Sequence, residues 1–341
     1  MTPRALAPII LFAYHRPAHA ARTLQTLQAN RLAADSRLYV FCDGPPPDAS
    51  AELRQQIAAV RAVVRQATGF AEVTVSEAET NRGLMVSIEQ GIRAVLAQHD
   101  RVIVLEDDLE LSPGFLEYMN AALDAYAAEE TVMSVTGYMF PVEEPPPETF
   151  FLHMISSWGW GTWRRAFVHY QPDAAALMAT VRGAGRLEEF NLDGTYDFMG
   201  QLQANAKGHL RTWAVKWYAT VFLRGGLTLF PGRSLVRNFG HDGSGQHSAC
   251  TSQFDVSGMA EKVVVEPEPV VENPDARRAV GKLLAPAPRP RSNVGLRRWL
   301  RETVRRFLPA CIHSPKKSAP TAPSLTGSAR CRPNCTRTWT T

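Results

Sequence analysis

An apolar run that ends in three consecutive acids is the feature of this sequence that most constrains its fold. Residues 102–105 are all β-branched or aliphatic, and Glu106, Asp107 and Asp108 follow them directly. Such a run predicts a strand that is buried on both faces inside a parallel sheet. Three carboxylates without partners in a low-dielectric crevice would be costly. We therefore predict that a positive group meets these acids at the end of the strand.

Strand-like and helix-like segments alternate over the first 110 residues. The predicted strands and helices, in chain order, are 8–13, 18–28, 38–42, 50–66, 73–75, 84–98 and 101–105, followed by 114–128, 131–135, 196–206, 211–213 and 226–230. This alternation is typical of βαβ units. It predicts an α/β fold with a mostly parallel central sheet flanked by helices.

The net charge of +4 is unevenly distributed over the 341 residues. From Pro286 onward the sequence has twelve Lys and Arg and a single acid. Residues 286–341 therefore carry a charge of about +11, and residues 1–285 about −7. A mildly acidic body argues against a nucleic-acid-binding protein. We predict one folded domain over 1–265, with halves 1–110 and 111–265. A linker over 266–285 and a basic, largely disordered tail over 286–341 complete the prediction.

Residues 294–308 of the tail predict a basic amphipathic helix. Leu296, Leu300 and Val304 share one face, and five arginines surround it. Helices of this kind bind anionic membrane surfaces. We favour peripheral contact with the inner leaflet over a helix docked on the body or an unstructured segment. The apolar run at 7–14 is too short to span a membrane.

The five cysteines argue for a reducing setting. None is spaced C-x-x-C and their number is odd, so the sequence predicts neither a disulfide framework nor a zinc site. We therefore predict a cytoplasmic protein.

Polar clusters follow three of the predicted strands. They are YHRP (14–17), CDGP (42–45) and EDD (106–108). In open parallel sheets ligands bind beyond the carboxyl ends of the strands, so one common site is expected there. A hard cation, Mn²⁺ or Mg²⁺, held by one or two carboxylates and by diphosphate oxygens would explain the acids. Alternatively, the acids cap the following segment or face solvent.

Residues 102–119, VIVLEDDLELSPGFLEYM, strongly resemble the nucleotide-sugar site of N-acetylglucosaminyltransferase I and bacterial family-2-like relatives. These enzymes are GT-A glycosyltransferases, and they carry a Glu-Asp-Asp version of the DxD motif. The order of elements is similar over roughly residues 7–250. The resemblance implies a Rossmann-like GT-A fold. It also implies metal-dependent, inverting transfer from a nucleotide-sugar donor, with UDP as the nucleotide, to a glycan or lipid-linked acceptor.

The resemblance also implies roles for the acids and for Arg16. Asp108 would be the direct metal ligand, while Glu106 and Asp107 would bind ribose and sugar or the waters of the metal. Arg16 would contact the diphosphate, which suits the bidentate geometry of a guanidinium. Asp43 would accept a hydrogen bond from uracil. For Arg16 and Asp43 the alternative is that they are ordinary polar loop residues.

Three further segments resemble parts of the same family, and a fourth, with three tryptophans, is argued from its residues alone. Asn81, in NRGL (81–84), matches a turn that passes close to the nucleotide. His241, in RNFGHDGSGQHS (237–248), matches a loop that folds over the diphosphate. Among Trp158, Trp160 and Trp163 we expect one to line the site by stacking on a sugar, and we select Trp160.

The general base is the third of these resemblances. GTYDFMGQL (194–202) matches the family's base segment and places the catalytic carboxylate at Asp197, although Tyr196 stands where the family has a first aspartate. Asp193 is the competing candidate. A third interpretation is an aspartate that merely interacts with the dipole at a helix start.

Two other classes of protein fit parts of the sequence. A sugar-phosphate nucleotidyltransferase would carry a glycine-rich, lysine-containing loop after the first strand, and FAYHRPAHAAR (12–22) has neither residue. A catalytically inactive sugar-nucleotide or glycan-binding protein would share the fold. The complete set of acids argues against it.

Overall fold

The computed structural model describes residues 5–243 and 251–286. Within these ranges the chain forms ten strands: β1 (Ile9–Ala13), β2 (Arg37–Cys42), β3 (Glu72–Glu77), β4 (Arg101–Glu106), β5 (Leu109–Leu111), β6 (Val132–Thr136), β7 (Thr149–Leu152), β8 (Trp160–Trp163), β9 (Leu227–Pro231) and β10 (Val236–Asn238).

Eight of these strands form the central sheet, in the order β3-β2-β1-β4-β8-β6-β9-β7. Strands β3, β2, β1 and β4 are parallel neighbours, as are β6 and β9. Strand β8 runs antiparallel between β4 and β6, and β7 is an antiparallel edge strand. The carboxyl ends of β1–β4, β6 and β9 therefore share one edge of the sheet. The predicted α/β fold with a mostly parallel sheet is confirmed.

Ten α-helices and one 3₁₀ helix (Ala33–Asp35) accompany the strands in the described ranges. They are α1 (Pro17–Gln28), α2 (Ala51–Arg65), α3 (Leu84–Leu96), α4 (Phe115–Ala125), α5 (Arg164–Phe167), α6 (Ala174–Gly183), α7 (Leu187–Phe190), α8 (Phe198–Ala206), α9 (Ala214–Leu223) and α10 (Pro274–Leu284). Several begin at side-chain caps, for example Ser50 for α2 and Asp173 for α6.

The core lies on both faces of β1 and β4, at the middle of the sheet. Every residue of these two strands is buried, including the charged ends of β4. Arg101 is tolerated there because its guanidinium forms an ion pair with Asp124 and donates to the carbonyl oxygen of Ala5. The chain therefore arrives at Glu106 on a rigid, fully packed strand.

Several elements of the second half were not predicted, among them β7, β8, α6 and α9. Residues 211–213, predicted as a strand, form a loop that leads into α9. The tryptophan-rich segment 157–163 contains β8. These last two differences have the same cause, because helix α9 and strand β8 are buried nearly all round and show no amphipathic period.

The predicted linker over 266–285 contains helix α10. Its buried side includes Ala276, Val280 and Leu284. Arg277 binds it to the body through ion pairs with Asp193 and Glu272. The sequence signal was obscured because prolines and acids precede this short helix.

The predicted amphipathic helix at 294–308 lies outside the described residues. Within the ranges that are described, no helix is long and apolar enough to cross a membrane.

Candidate functional site

Arg16 is the positive group that meets the acid triplet. It follows β1, and its Nη2 donates to Asp107 Oδ1 at 2.5 Å and to Asp108 Oδ2 at 2.8 Å. The three side chains are largely buried, with 15%, 6% and 12% of their surface exposed. Burial opposes the charge of Arg16, but the two aspartates raise the pKa of its guanidinium. The other amino group of Arg16, Nη1, is buried and has no hydrogen-bond partner among the described residues.

Glu106 is the acid for which the described part of the chain provides least compensation. Its Oε1 is buried and accepts no hydrogen bond from any described residue. Burial, then Asp108 and Asp107, raise the pKa of Glu106 well above its ordinary value, and Arg16 opposes them. Burial likewise raises the pKa of Asp107 against the opposing effect of Arg16. The site therefore holds more negative charge than Arg16 alone satisfies.

Asp43 organises the loop that precedes α3. Its Oδ1 accepts from the backbone N–H groups of Gly44 and Arg82, at 2.8 and 2.9 Å. Its Oδ2 accepts from the N–H of Gly83 at 2.9 Å and from Asn81 Nδ2 at 3.1 Å. Asp43 and Asn81, predicted separately as nucleotide-binding residues, are therefore parts of one structure at the end of β2.

The segment after β10 lies directly beside the acids. Strand β10 pairs antiparallel with β5, which follows the triplet. The N–H of Phe239 donates to the carbonyl oxygen of Asp108 at 3.0 Å. A Cβ added to Gly240 would lie 2.1 Å from Asp108 Oδ2. Only glycine allows the backbone to approach this carboxylate so closely.

His241 follows that glycine and lies against aromatic rings. Its ring centroid is 5.3 Å from that of Trp158 and 5.7 Å from that of Phe254. Residues 237–243 of the predicted diphosphate loop are thus beside the acids. Residues 244–248 of it lie outside the described residues.

The three tryptophans of the segment 157–163 have different surroundings. All three are buried. Trp158, 3% exposed, contacts His241, and Trp160, 1% exposed, stacks on Trp213 with centroids 5.0 Å apart. Trp163 donates through Nε1 to the carbonyl oxygen of Leu123. We selected Trp160 as the sugar-stacking residue, but its ring packs against Trp213 and Trp217. Trp158 is the member that borders the site.

Asp197 and Asp193 occupy different environments. Asp197 is exposed at the start of α8, where one oxygen accepts from the N–H of Gly200 at 2.8 Å. Asp193 has both oxygens within 3.1 Å of the Arg277 guanidinium. Its backbone φ is +56°, in the left-handed region. Asp197 thus performs the helix-start role that we considered as an alternative, and this role leaves its second oxygen available.

Three residues near this edge were not singled out by sequence reasoning. His15 has a buried Nδ1, and burial, Arg16 and His19 lower the pKa of its imidazole. His19 stacks on Phe239 and lies 3.3 Å from Asp242. Lys216 of α9 is 6% exposed. The YHRP motif pointed towards His15, but no pattern signals burial of a lysine in a helix.

An open pocket of about 340 Å³ lies beyond the carboxyl ends of β6 and β9. Its lining is about equally polar and apolar and includes Met139, Phe140 and Val142 after β6, Arg233 after β9, and Met259. The pocket and the acid triplet therefore belong to the same edge of the sheet.

The family comparison agrees with this geometry. Residues 9–174, slightly under half of the chain, match the family model "Glycosyl transferase family 2". This segment contains β1 to β8 and the whole acid triplet. The match supports a GT-A glycosyltransferase, and the finer resemblance to N-acetylglucosaminyltransferase I stays a prediction. No curated protein matches the chain.

Several solved structures are similar to parts of the chain. Residues 1–349 of S. aureus TarS align with 12% identity and a TM-score of 0.36, covering 67% of this chain and 59% of that one. A second S. aureus TarS structure aligns with 16% identity and a TM-score of 0.27, covering 42% of this chain and 24% of that one. A cytidylyltransferase from Leptospira borgpetersenii serovar Hardjo-bovis (strain JB197) aligns with 11% identity and a TM-score of 0.27, covering 39% of this chain and 54% of that one. In each case less than two thirds of the solved chain is covered.

Proposed function

We propose that this protein is a metal-dependent, inverting glycosyltransferase that moves a sugar from a UDP-sugar to a glycan or lipid-linked acceptor. One observation carries the proposal. Arg16 and the acid triplet converge at the carboxyl edge of the sheet with two buried polar atoms, Arg16 Nη1 and Glu106 Oε1, that no described residue satisfies. Buried polar groups normally have partners. A ligand that offers both an acceptor and a cation would provide them.

The donor would lie along this edge. Arg16 Nη1 would donate to a diphosphate oxygen while Nη2 remains on the aspartates. The loop that Asp43 orders would border the nucleotide, with Asn81 as one of its side chains. On the other side, His241 and Trp158 would border the diphosphate and the sugar. The family resemblance supports the assignments of Asn81 and His241, and the contact of Trp158 with His241 supports its own.

The acids fit a divalent cation. Their oxygen ligands suit Mn²⁺ or Mg²⁺, and a cation would satisfy the buried Glu106 Oε1, which accepts no hydrogen bond from the described residues. No cluster of three or more His, Cys, Asp or Glu within the described ranges is arranged to hold an ion. Asp108 would therefore hold the cation together with donor oxygens, and Glu106 and Asp107 would bind its waters or the ribose and sugar. When bound, the cation would neutralise charge on the departing diphosphate.

Asp197 would act as the general base. Its free oxygen would take the proton of the acceptor hydroxyl as that oxygen attacks the anomeric carbon and the bond to the diphosphate breaks. Its exposure at the start of α8 and the oxygen that does not cap the helix support this role.

Calorimetric binding of UDP tests the proposal. We expect Mn²⁺ to increase the affinity of the wild type for UDP at least about tenfold, or 1.4 kcal/mol. Asp108→Ala should abolish this increase, because it removes the carboxylate that holds the cation. Asp100→Ala is the control, since Asp100 is an exposed acid at the opposite edge of the sheet. Equal binding of UDP by wild type and Asp108→Ala, with and without Mn²⁺, would contradict the metal site.

A second test uses the close approach of Gly240 to Asp108. Gly240→Ala must displace either the carboxylate or the backbone, because its Cβ would lie 2.1 Å from Oδ2. Overpacking of this kind costs about 1–3 kcal/mol. We therefore expect Mn²⁺-dependent UDP binding to weaken roughly ten- to hundredfold. Gly258→Ala should bind normally, since an added Cβ there meets nothing within 4 Å. Wild-type affinity in Gly240→Ala would show that this contact does not position Asp108.

A further inference from the structure

Lys216 is a buried cation, and its hydrogen-bond partner is too weak an acceptor to compensate the charge. It belongs to α9, is 6% exposed, and its Nζ lies 2.8 Å from the Sδ of Met85. A thioether sulfur is a poor hydrogen-bond acceptor. This is the one hydrogen bond of the amine to any residue in the described ranges. A buried lysine in such a setting either loses its proton or awaits an anion.

The carboxylates closest to Lys216 are engaged elsewhere. Glu89 and Asp173 both act to hold the charge on the amine, although burial lowers its pKa overall. Glu89 forms an ion pair with Arg93, and Asp173 accepts from two backbone N–H groups at the start of α6. Neither lies within ion-pair distance of Lys216. The missing acceptor is therefore not supplied by this part of the fold.

Three tryptophans of the same region also have unsatisfied donors. The indole N–H groups of Trp160, Trp213 and Trp217 are buried and have no hydrogen-bond partner among the described residues. Trp213, the N-cap of α9, lies three residues before Lys216, and Trp217 follows Lys216 directly. The Trp160 ring lies 5.0 and 6.0 Å from theirs. Lys216 is therefore not the only group of this region whose donors lack acceptors.

The start of α3 adds backbone donors at the same place. Met85 is the second residue of this 13-residue helix, and no side chain caps its N-terminus. The first N–H groups of a helix lack intrahelical partners, and the helix dipole favours negative charge there. Gly83, at the N-cap, is held by Asp43 at the end of β2. This helix start therefore lies on the edge where the donor is placed.

We propose that Lys216 and the first turn of α3 form a second oxyanion-binding subsite. The oxyanion belongs to the nucleotide sugar, either as a phosphate or as a carboxylate on the transferred sugar. The identity of that ligand rests on the proposed function, whereas the existence of the anion subsite does not. Arg16 and the cation serve the diphosphate from the acid triplet, and Lys216 approaches from the opposite half of the domain.

The test is calorimetry in metal-free buffer with pyrophosphate, UDP and UDP-glucuronate. The proteins are wild type, Lys216→Met and Lys216→Gln, with the exposed Lys207→Met as control. Thermal unfolding shows whether each variant folds. Because methionine and glutamine are both close to lysine in length, the second variant still gives a result if the first has a folding defect. We expect both to weaken binding at least tenfold while Lys207→Met has no effect.

The pattern of losses separates the possibilities. A loss for pyrophosphate and UDP assigns the subsite to a phosphate, and a loss for UDP-glucuronate alone assigns it to a sugar carboxylate. Lys216-dependent binding of pyrophosphate by a protein that binds no uridine ligand would overturn the proposed function and keep the subsite. Unchanged affinities in both variants, or a wild type that binds none of the ligands, would overturn the subsite.

Discussion

Replacing Arg16 with methionine is expected to lower the free energy of unfolding by about 3–5 kcal/mol at neutral pH, the usual loss when a buried ion pair is broken from one side. The loss should be large because Arg16 contacts both Asp107 and Asp108, and Glu106 is buried beside them. Methionine preserves much of the side-chain volume but leaves three buried carboxylates without a cation. Urea titration monitored by tryptophan fluorescence measures the change.

The pH dependence of this loss has a definite sign. Glu106 and Asp107 have raised pKa values, so the folded chain holds protons that the unfolded chain has already released. Stability therefore falls as pH rises above the ordinary value of 4.5 for glutamate. Arg16 opposes both shifts, and its removal should raise both values further. The difference between wild type and Arg16→Met should be largest at alkaline pH and shrink as these acids take up protons.

Two controls separate buried charge from a general effect of losing an arginine. Arg37→Met removes an exposed arginine whose pair with Glu72 is on the surface, and it should cost less than about 1 kcal/mol. Mn²⁺ should restore part of the stability of Arg16→Met, because the cation would replace the missing positive charge. An Arg16→Met protein with wild-type stability at every pH would show that the triplet is compensated by other means.

Local pattern was sufficient to predict the first half of the fold. The apolar run 102–105 became a fully buried strand, and the helix predicted over 50–66 is α2, which buries Ile57, Val60 and Val64. These elements depend on spacing within one segment. Strand β8 could not be found in this way, since its four residues are a strand only through pairing with β4 and β6. Tertiary contact determines such a segment.

The candidate site, too, could be predicted from the sequence only in part. That a positive group meets the triplet follows from the charges alone, and the meeting of YHRP with the acids follows because parallel strands end at one edge. The sequence assigned that charge to a divalent cation and gave Arg16 to the diphosphate, so the ion pairs of Arg16 with Asp107 and Asp108 were not predicted. The fourfold binding of Asp43 to the loop before α3 depends on a backbone conformation that residue types do not specify. Lys216 is a similar case. It stands in an apolar helix, AVKWYATVFL, and only packing against α3 shows that its amine is buried.

Replacing Asp197 with asparagine is expected to lower kcat by about 10²–10⁴, the usual contribution of a general base, while UDP affinity stays within about twofold. Asparagine is as good a helix N-cap as aspartate. The hydrogen bond from the N–H of Gly200 and the start of α8 should therefore persist. The substitution removes the ability to accept a proton and leaves the local structure intact. UDP release from a UDP-sugar, with the acceptor that gives the highest wild-type rate, measures kcat.

Asp193→Asn is the matched control for this experiment, because the two aspartates lie four residues apart in one segment. The carboxylate of Asp193 is held by the Arg277 guanidinium, and its loss should lower stability while kcat changes little. If Asp193→Asn loses transfer and Asp197→Asn keeps it, the roles of the two residues are exchanged. If both variants keep wild-type turnover, the base lies outside this segment. A donor-binding wild type that releases no UDP with any acceptor would instead favour an inactive sugar-nucleotide-binding protein, since the fold and acid triplet serve binding as well as catalysis.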